Sequence, residues 1–325
     1  MSERQLITAT SLMRFLITRL ARSLITLLIC VSAVFIVLRL AGDPVAIMLP
    51  PETPPDVIEQ YRVLWGLDQP LREQYIRFII GAAQGEFGRS FADSRPAIDV
   101  VAEAIPKTLL LGFAALLLAL LVGVPLGIVA AVRHNSPIDR FVMSFAVLGY
   151  SIPVFFLGVL MILLFALKLR VLPSAGSSGP IYLIMPALTL GLPLAGRLAR
   201  FVRTAMLEVL TKPFIRAARG KGVRPLGIVL RHALPNAAVP LIMFLGIEIG
   251  NILAGAAVTE TIFAWPGMGR LLVDAVATRD LPVVQAVILT VTLIMILSNL
   301  VVDILHVVLD PRLGGFSAPK KGQPS

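Results

Sequence analysis

The run TLLLGFAALLLALLVGVPLGIVAAV, residues 108–132, carries no charged side chain and is bounded by Lys107 and Arg133. At about 1.5 Å per residue a helix of this length reaches roughly 37 Å, more than the ~30 Å hydrocarbon core of a bilayer. Five further runs of similar length are dominated by apolar residues, at 16–40, 141–167, 181–202, 237–259 and 283–307. Together they predict an all-α polytopic membrane protein with six transmembrane helices, since a helix satisfies its own backbone groups in lipid. Composition excludes a soluble chain. Of 325 residues, 57% are hydrophobic and 15% charged, with mean hydropathy +0.88; soluble domains have about a quarter of their residues charged. The first run follows Arg14 and includes Arg19 and Arg22, as in a signal peptide. However, no small-residue cleavage site follows it, and apolar residues continue through Phe35 to Leu40, so it is read as a retained span.

The net charge is +10. A nucleic-acid partner would require that excess on one face of a soluble fold together with a binding motif, and the chain has no such motif. With the amino terminus inside, 18 of the 29 basic residues fall in segments that face the cytoplasm: Arg4, Arg14, Arg19, Arg22, Arg133, Arg140, nine between 197 and 231, Arg312, Lys320 and Lys321. This bias predicts that both termini are cytoplasmic. The one cysteine, Cys30, excludes a disulfide framework. His134, His232 and His306 lie far apart without ligand spacing, so no metal site is expected.

The spans divide the chain into an N-terminal segment with the first helix (1–40), an extracytoplasmic excursion (41–107), a membrane core (108–307) and a cytoplasmic tail (308–325). The excursion has a helical pattern over 57–80. Its Trp65, Leu67, Leu71, Tyr75, Phe78 and Ile79 supply apolar groups for a small folded cap. Within the core, residues 211–236 form a cytoplasmic segment. Pro213 suits a first helical turn, 214–221 make about two turns, and Gly222 is placed to end them. Phe214, Ile215 and Ala218 give that helix an apolar edge, and Arg216, Arg219 and Lys221 a basic one. Such a helix can rest on lipid headgroups or dock in a groove on a soluble partner, and composition does not choose between these.

Residues Arg216-Ala217-Ala218, then three residues, Gly222, nine residues, and His232-x-Leu234-Pro235 resemble the EAA loop of ABC-importer permeases, E-A-A-x3-G-x9-I-x-L-P. Arg216 replaces the first Glu and His232 the Ile; a basic residue at the first position is common in the peptide-permease branch. Gly42-Asp43-Pro44, Gly66-Leu67-Asp68-Gln69-Pro70, Gly85-Glu86-Phe87-Gly88-Arg89-Ser90 and the loop from Phe263 through Trp265-Pro266-Gly267-Met268-Gly269-Arg270 to Leu271 occur in the order of the dipeptide/oligopeptide/nickel permeases. Specifically, the chain is similar to the subunit with the long first extracytoplasmic loop.

The resemblance implies the type I importer permease fold in a bacterial inner membrane. It also implies that Phe214, Ile215, Arg216, Ala217, Ala218, Arg219, Gly222, Leu234 and Pro235 couple to a cytoplasmic ATPase. The chain contains no Gly-x4-Gly-Lys-Ser/Thr, so ATP and magnesium belong to partner subunits and the chain itself binds no cofactor and is not an enzyme. The implied partners are a second, homologous permease in a heterodimer, two ATPases and an extracytoplasmic solute-binding protein. The cap and Trp265, Pro266, Gly267 and Arg270 are candidates to contact that protein. Peptide is the first substrate expectation, with nickel complexes, glutathione and opines as alternatives.

Inside the spans, Glu248 is the costliest residue, and Asn251 lies three positions on. Either they line the path and meet a passing amine or amide, or Glu248 has an internal partner or is protonated within the helix packing. Tyr150-Ser151-Ile152-Pro153 interrupts the third span, placing Tyr150 and Ser151 as further path candidates. Pro125, Pro186, Pro193 and Pro240 predict bends in other spans. Gly123-x3-Gly127 and Gly246-x3-Gly250 predict close helix packing. Asp303 and His306 read as a pair at the cytoplasmic interface. An ion-coupled secondary transporter would show inverted repeats, and an intramembrane enzyme a nucleophile with its base; the sequence presents neither.

Overall fold

A computed structural model describes residues 3–40, 45, 49, 52–64 and 67–309. Trp65, Gly66, Gly42-Asp43-Pro44 and the tail from 310 lie outside the described residues, as does the side chain of His306. Among the described residues the architecture is all-α. The helices are α1 (Glu3–Leu40), α2 (Pro55–Leu64), α3 (Leu71–Gln84), α4 (Ala97–Val132), α5 (Pro137–Ser151), α6 (Val154–Met161), α7 (Ile181–Leu210), α8 (Pro213–Gly220), α9 (Leu234–Ile262), α10 (Met268–Ala277) and α11 (Leu281–Leu309). Five of them are long and apolar enough to cross a membrane, and the bent pair from Pro137 to Lys168 makes a sixth crossing if counted as one span. The end of the bundle that carries α8 is called the lower end below.

The third predicted span is not a straight rod. α5 and the helix that follows it meet at 98°. Pro153 cannot donate to the helix ladder, and its ring drives Ile152 out of the helical region, to φ −79°, ψ 124°. A π-helical stretch, Ile162–Lys168, continues α6. By contrast, Pro125, Pro186, Pro193 and Pro240 all sit inside continuous helices. A proline in a span forfeits one backbone hydrogen bond, and neighbouring groups can compensate for it.

α4 is 36 residues long, about 54 Å, so its first turns stand clear of the hydrocarbon. Residues 97–107, expected in the extracytoplasmic loop, are therefore the upper end of this helix. There Ala97, Val101 and Ala104 pack with Met268, Ala275, Val283 and Val287 of α10 and α11.

α4 and α7 form the most extensive helix pair. Small residues let the backbones touch: a Cβ on Gly123 would lie 2.7 Å from the Ala195 carbonyl, and one on Gly127 2.6 Å from that of Ala199. Gly246 is similarly shut against Val302. The central core gathers Leu194, Leu198, Val202 and Met206 of α7 with Ala119, Ala131 and Ile252. The outward faces carry exposed Leu24, Ile29, Phe113, Leu121 and Phe141, an apolar surface suited to lipid.

The helix expected over 57–80 is two helices. Pro70 opens α3, and the Gln74 amide donates to the carbonyls of Leu67 (3.1 Å) and Gln69 (2.6 Å), tying the bend. α3 docks on α1: Tyr75 Oη and Ser32 Oγ lie 2.6 Å apart, and the Phe35 ring is 5.3 Å from Tyr75 and 5.7 Å from Phe78. No residue of α3 is buried, and Leu71 is exposed, so α3 leans on α1 rather than enclosing a core of its own.

Candidate functional site

Lys212, in extended backbone, precedes α8, and Pro213 fills its first position, where a missing N–H costs nothing. Ile215 and Ala218, three residues apart, turn inward and are buried. Ile215 joins the core formed by Met206 at the foot of α7 and by Ile228 and Ala233 of a π-helical segment, Ile228–Ala233. The chain leaves the helix through Lys221 and through Gly222 at φ +75°, a conformation that glycine adopts without strain. The rest of α8 faces out, with Phe214, Arg216, Ala217 and Arg219 exposed. A cavity of about 490 Å³, lined in part by Val132, Leu210, Arg219 and Ile228, lies between the carboxyl end of α8 and the feet of α4 and α7. α8 is therefore held along one edge. Leu234 opens α9, half-buried against the same core, and Pro235 follows it, exposed. Ile215 and the π segment thus tie α8 to α7 and α9.

Higher in the bundle, Glu248 is buried and held by Arg197: Nε donates to Oε1 at 3.1 Å and Nη2 to Oε2 at 2.7 Å. Glu248 thus has an internal partner in Arg197, as one of its sequence readings expected. Arg197, assigned by charge counting to the cytoplasmic segment, lies inside α7. Asn251 is exposed and stands apart from that pair. Tyr150 and Ser151 end α5; Arg200 Nη1 donates to Tyr150 Oη at 3.0 Å, and Ser151 is exposed. One turn below Arg200, Arg203 grips buried Asp139 (2.6 and 2.8 Å), and His134 Nδ1 lies 3.0 Å from Arg203 Nη2. Asp303 pairs with Arg19 of α1 at 2.9 Å, joining α1 to α11; its expected pairing with His306 falls on a side chain outside the described residues.

At the upper end, Trp265 is buried, and its indole N–H donates to the Lys107 carbonyl at 2.9 Å. Gly267 is buried too, Pro266 is exposed, and Arg270 donates from Nη1 to the Ala264 carbonyl at 2.7 Å. The loop is organised by Glu260, which sequence reading missed. Glu260 is fully buried, accepts from Thr108 Oγ1 (2.6 Å), and caps α10 by accepting from the N–H groups of Gly269 (2.7 Å) and Arg270 (3.1 Å). A Cβ on Gly267 would collide with that carboxylate, and one on Gly269 with the Ala257 backbone. The glycines of the 263–271 stretch are spaced to admit Glu260; a carboxylate seven residues ahead of the first was the available signal.

A second missed acid, Asp280, explains the 85–90 stretch. Its Oδ2 accepts from Ser90 Oγ (2.5 Å) and from the Phe91 N–H (3.0 Å), fixing the loop that Gly85 and Gly88 turn at positive φ.

The family model described as "Binding-protein-dependent transport system inner membrane component" matches residues 123–315, and its N-terminal companion, "Binding-prot-dependent transport system membrane comp, N-term", matches residues 12–112. The "Glutathione transport system permease protein GsiC" of Escherichia coli (strain K12) is 42% identical over 303 residues, covering 93% of this chain and 99% of that protein. The protein of the same name from Shigella flexneri serotype 5b (strain 8401) is 41% identical over the same length. Among solved structures, an inward-facing MetNI methionine ABC transporter aligns with TM-score 0.56 and 23% identity over 65% of this chain and 96% of that one, a likeness of fold. The chain belongs to the binding-protein-dependent transport system inner membrane components, the permease subunits of ABC importers.

Proposed function

We propose that this permease forms half of the translocation path of an importer for short peptides, glutathione among them, and that α8 is its coupling helix. The observation that carries this reading is the construction of α8: an anchored apolar edge, Ile215 and Ala218, beneath an exposed face of Phe214, Arg216, Ala217 and Arg219. A helix presenting an aromatic and two cations to the solvent fits a groove on a soluble ATPase, and its anchored edge transmits displacement into α7 and α9. The lower end then faces the cytoplasm, with both termini on that side, in agreement with the basic bias. Closure of a paired ATPase needs a coupling helix on each side, so the path is completed by a second, homologous permease. Two ATPases bind the ATP and magnesium, and an extracytoplasmic binding protein delivers the solute.

The solute class is supported by the 42% identity to a glutathione permease, since glutathione is itself a tripeptide. On the upper face Pro266 and the exposed sides of α2 and α3 are the surfaces available to the binding protein, while Trp265, Gly267 and Arg270 shape the loop from within. The test is uptake of labelled glutathione and trialanine into proteoliposomes holding the complete complex. ATP-dependent accumulation of either solute is expected. Accumulation driven by an ion gradient without ATPase subunits would overturn the reading.

A further inference from the structure

Arg197, Arg200 and Arg203 stand three residues apart on α7, and their charges are not balanced alike. Arg197 is neutralised by Glu248, and Arg203 by Asp139. Among the described residues Arg200 meets no carboxylate. It holds only Tyr150, with a hydrogen bond of 3.0 Å and its guanidinium 4.9 Å from the ring centroid. The three guanidinium groups thus share two carboxylates. The carboxyl end of α5 offers Arg200 only partial negative charge.

The direction in which Arg200 reaches is informative. α5 and α7 run antiparallel: Asp139 meets Arg203 at the foot, Gly196 packs on the Ala146 carbonyl above it, and Gly149 lies against the Leu192 carbonyl higher still. Tyr150 follows Gly149, so its backbone lies near the level of Leu192, about 12 Å up the helix from Arg200 at 1.5 Å per residue. The Arg200 side chain therefore climbs away from the lower end to meet the phenol, toward the level of the buried Arg197–Glu248 pair. A lipid-facing arginine near a helix end does the opposite and snorkels outward to the headgroups. An exposed guanidinium within a spanning helix is costly to place in hydrocarbon, so its counterpart is water, a ligand or another subunit.

We infer that Arg200, oriented by Tyr150, is an anion-recognising group on the translocation face that takes the free carboxylate of a passing solute. The inference rests on the importer reading above and adds a charge preference within the path. A planar guanidinium receives a carboxylate through two parallel hydrogen bonds, and the Tyr150 contact uses one N–H while leaving others free.

The experiment compares trialanine and triglycine, each as the free acid and as its C-terminal amide, in proteoliposomes with the complete complex and each solute saturating the binding protein. Wild type, Arg200→Gln and Arg200→Lys are measured with the same binding protein, so its own preference cancels when variants are compared. Arg200→Gln is expected to lower uptake of the acids about tenfold more than uptake of the amides, the scale of a lost charge-assisted hydrogen bond, and Arg200→Lys to recover part of that difference. Equal losses for acid and amide, or no loss, would overturn this inference alone. Failure of Arg200→Gln to co-purify with the second permease would assign Arg200 to a subunit contact and also overturn it. Absence of ATP-dependent uptake by the wild-type complex would remove the peptide-importer reading, and this inference with it.

Discussion

Thr108 and Glu260 meet at the upper end of the bundle, both buried, with the Thr108 hydroxyl donating to Glu260 Oε1 at 2.6 Å and accepting from the Met268 N–H at 2.8 Å. Through this contact α4, α9 and the start of α10 share one hydrogen-bonded centre. α9 begins beside the coupling segment, at Leu234, and ends two residues past Glu260, at Ile262. α9 thus runs from the π segment beside α8 to the loop of Trp265, Pro266 and Gly267.

Replacing Glu260 with Ala leaves the Thr108 hydroxyl and the N–H groups of Gly269 and Arg270 without their buried acceptor. The expected cost is about 2–3 kcal/mol. Amide exchange across 268–277 should accelerate selectively, and the thermal midpoint in nanodiscs should fall. Unchanged exchange in α10 would count against the capping role. Gly267→Ala should reproduce the effect by pushing the same carboxylate aside.

Arg197 and Glu248 provide a test by comparison of single and double changes. Arg197→Met strands a buried carboxylate at a cost of about 3 kcal/mol, whereas Arg197→Met with Glu248→Leu removes both charges and should recover most of the loss. Detergent-resistance temperatures of the three proteins measure this. A double variant as unstable as the single one would show that shape rather than charge sets the cost.

Asp280→Ala should release the loop from Arg89 to Pro96, since Ser90 Oγ and the Phe91 N–H both lose their acceptor. A loss of about 2 kcal/mol is expected, together with faster proteolysis within 89–96 in the intact membrane protein. Asp280→Asn, which keeps one acceptor oxygen, should lie between wild type and Ala.

Ile215→Ala empties the anchored edge of α8 and should cost about 2–4 kcal/mol locally. With the complete complex, ATP hydrolysis should continue while uptake falls several-fold, because α8 would move without carrying the core with it. Proportional loss of hydrolysis and uptake would place the defect in ATPase docking instead.

Legibility in the sequence followed the range of the forces. The lower segment was readable because Pro213, the Ile215 and Ala218 spacing and Gly222 act within two helical turns. The upper loop was readable as a pattern but not as a cause: its glycines are required by Glu260, and the 85–90 loop by Asp280, which is 190 residues from Ser90. Arg197 was misplaced because counting charges by loop assumes that a cation lies outside the membrane unless a partner is known, and its partner is 51 residues away. α4 began earlier than expected because hydropathy detects the lipid-embedded part of a helix and not its extension into water.

By itself the sequence determined the membrane as solvent, the approximate spans, the basic bias and the place of the short helix α8. Each of these follows from transfer of side chains into hydrocarbon or from backbone rules that act over a few residues. Only the tertiary structure decided that the third span turns through 98°, that Glu248 is closed by Arg197, that Trp265 faces inward, and that Arg200 alone of its row meets no carboxylate among the described residues. Those outcomes depend on which helix faces meet, and charge pairing within a bundle is settled by distances between residues that the linear order keeps far apart.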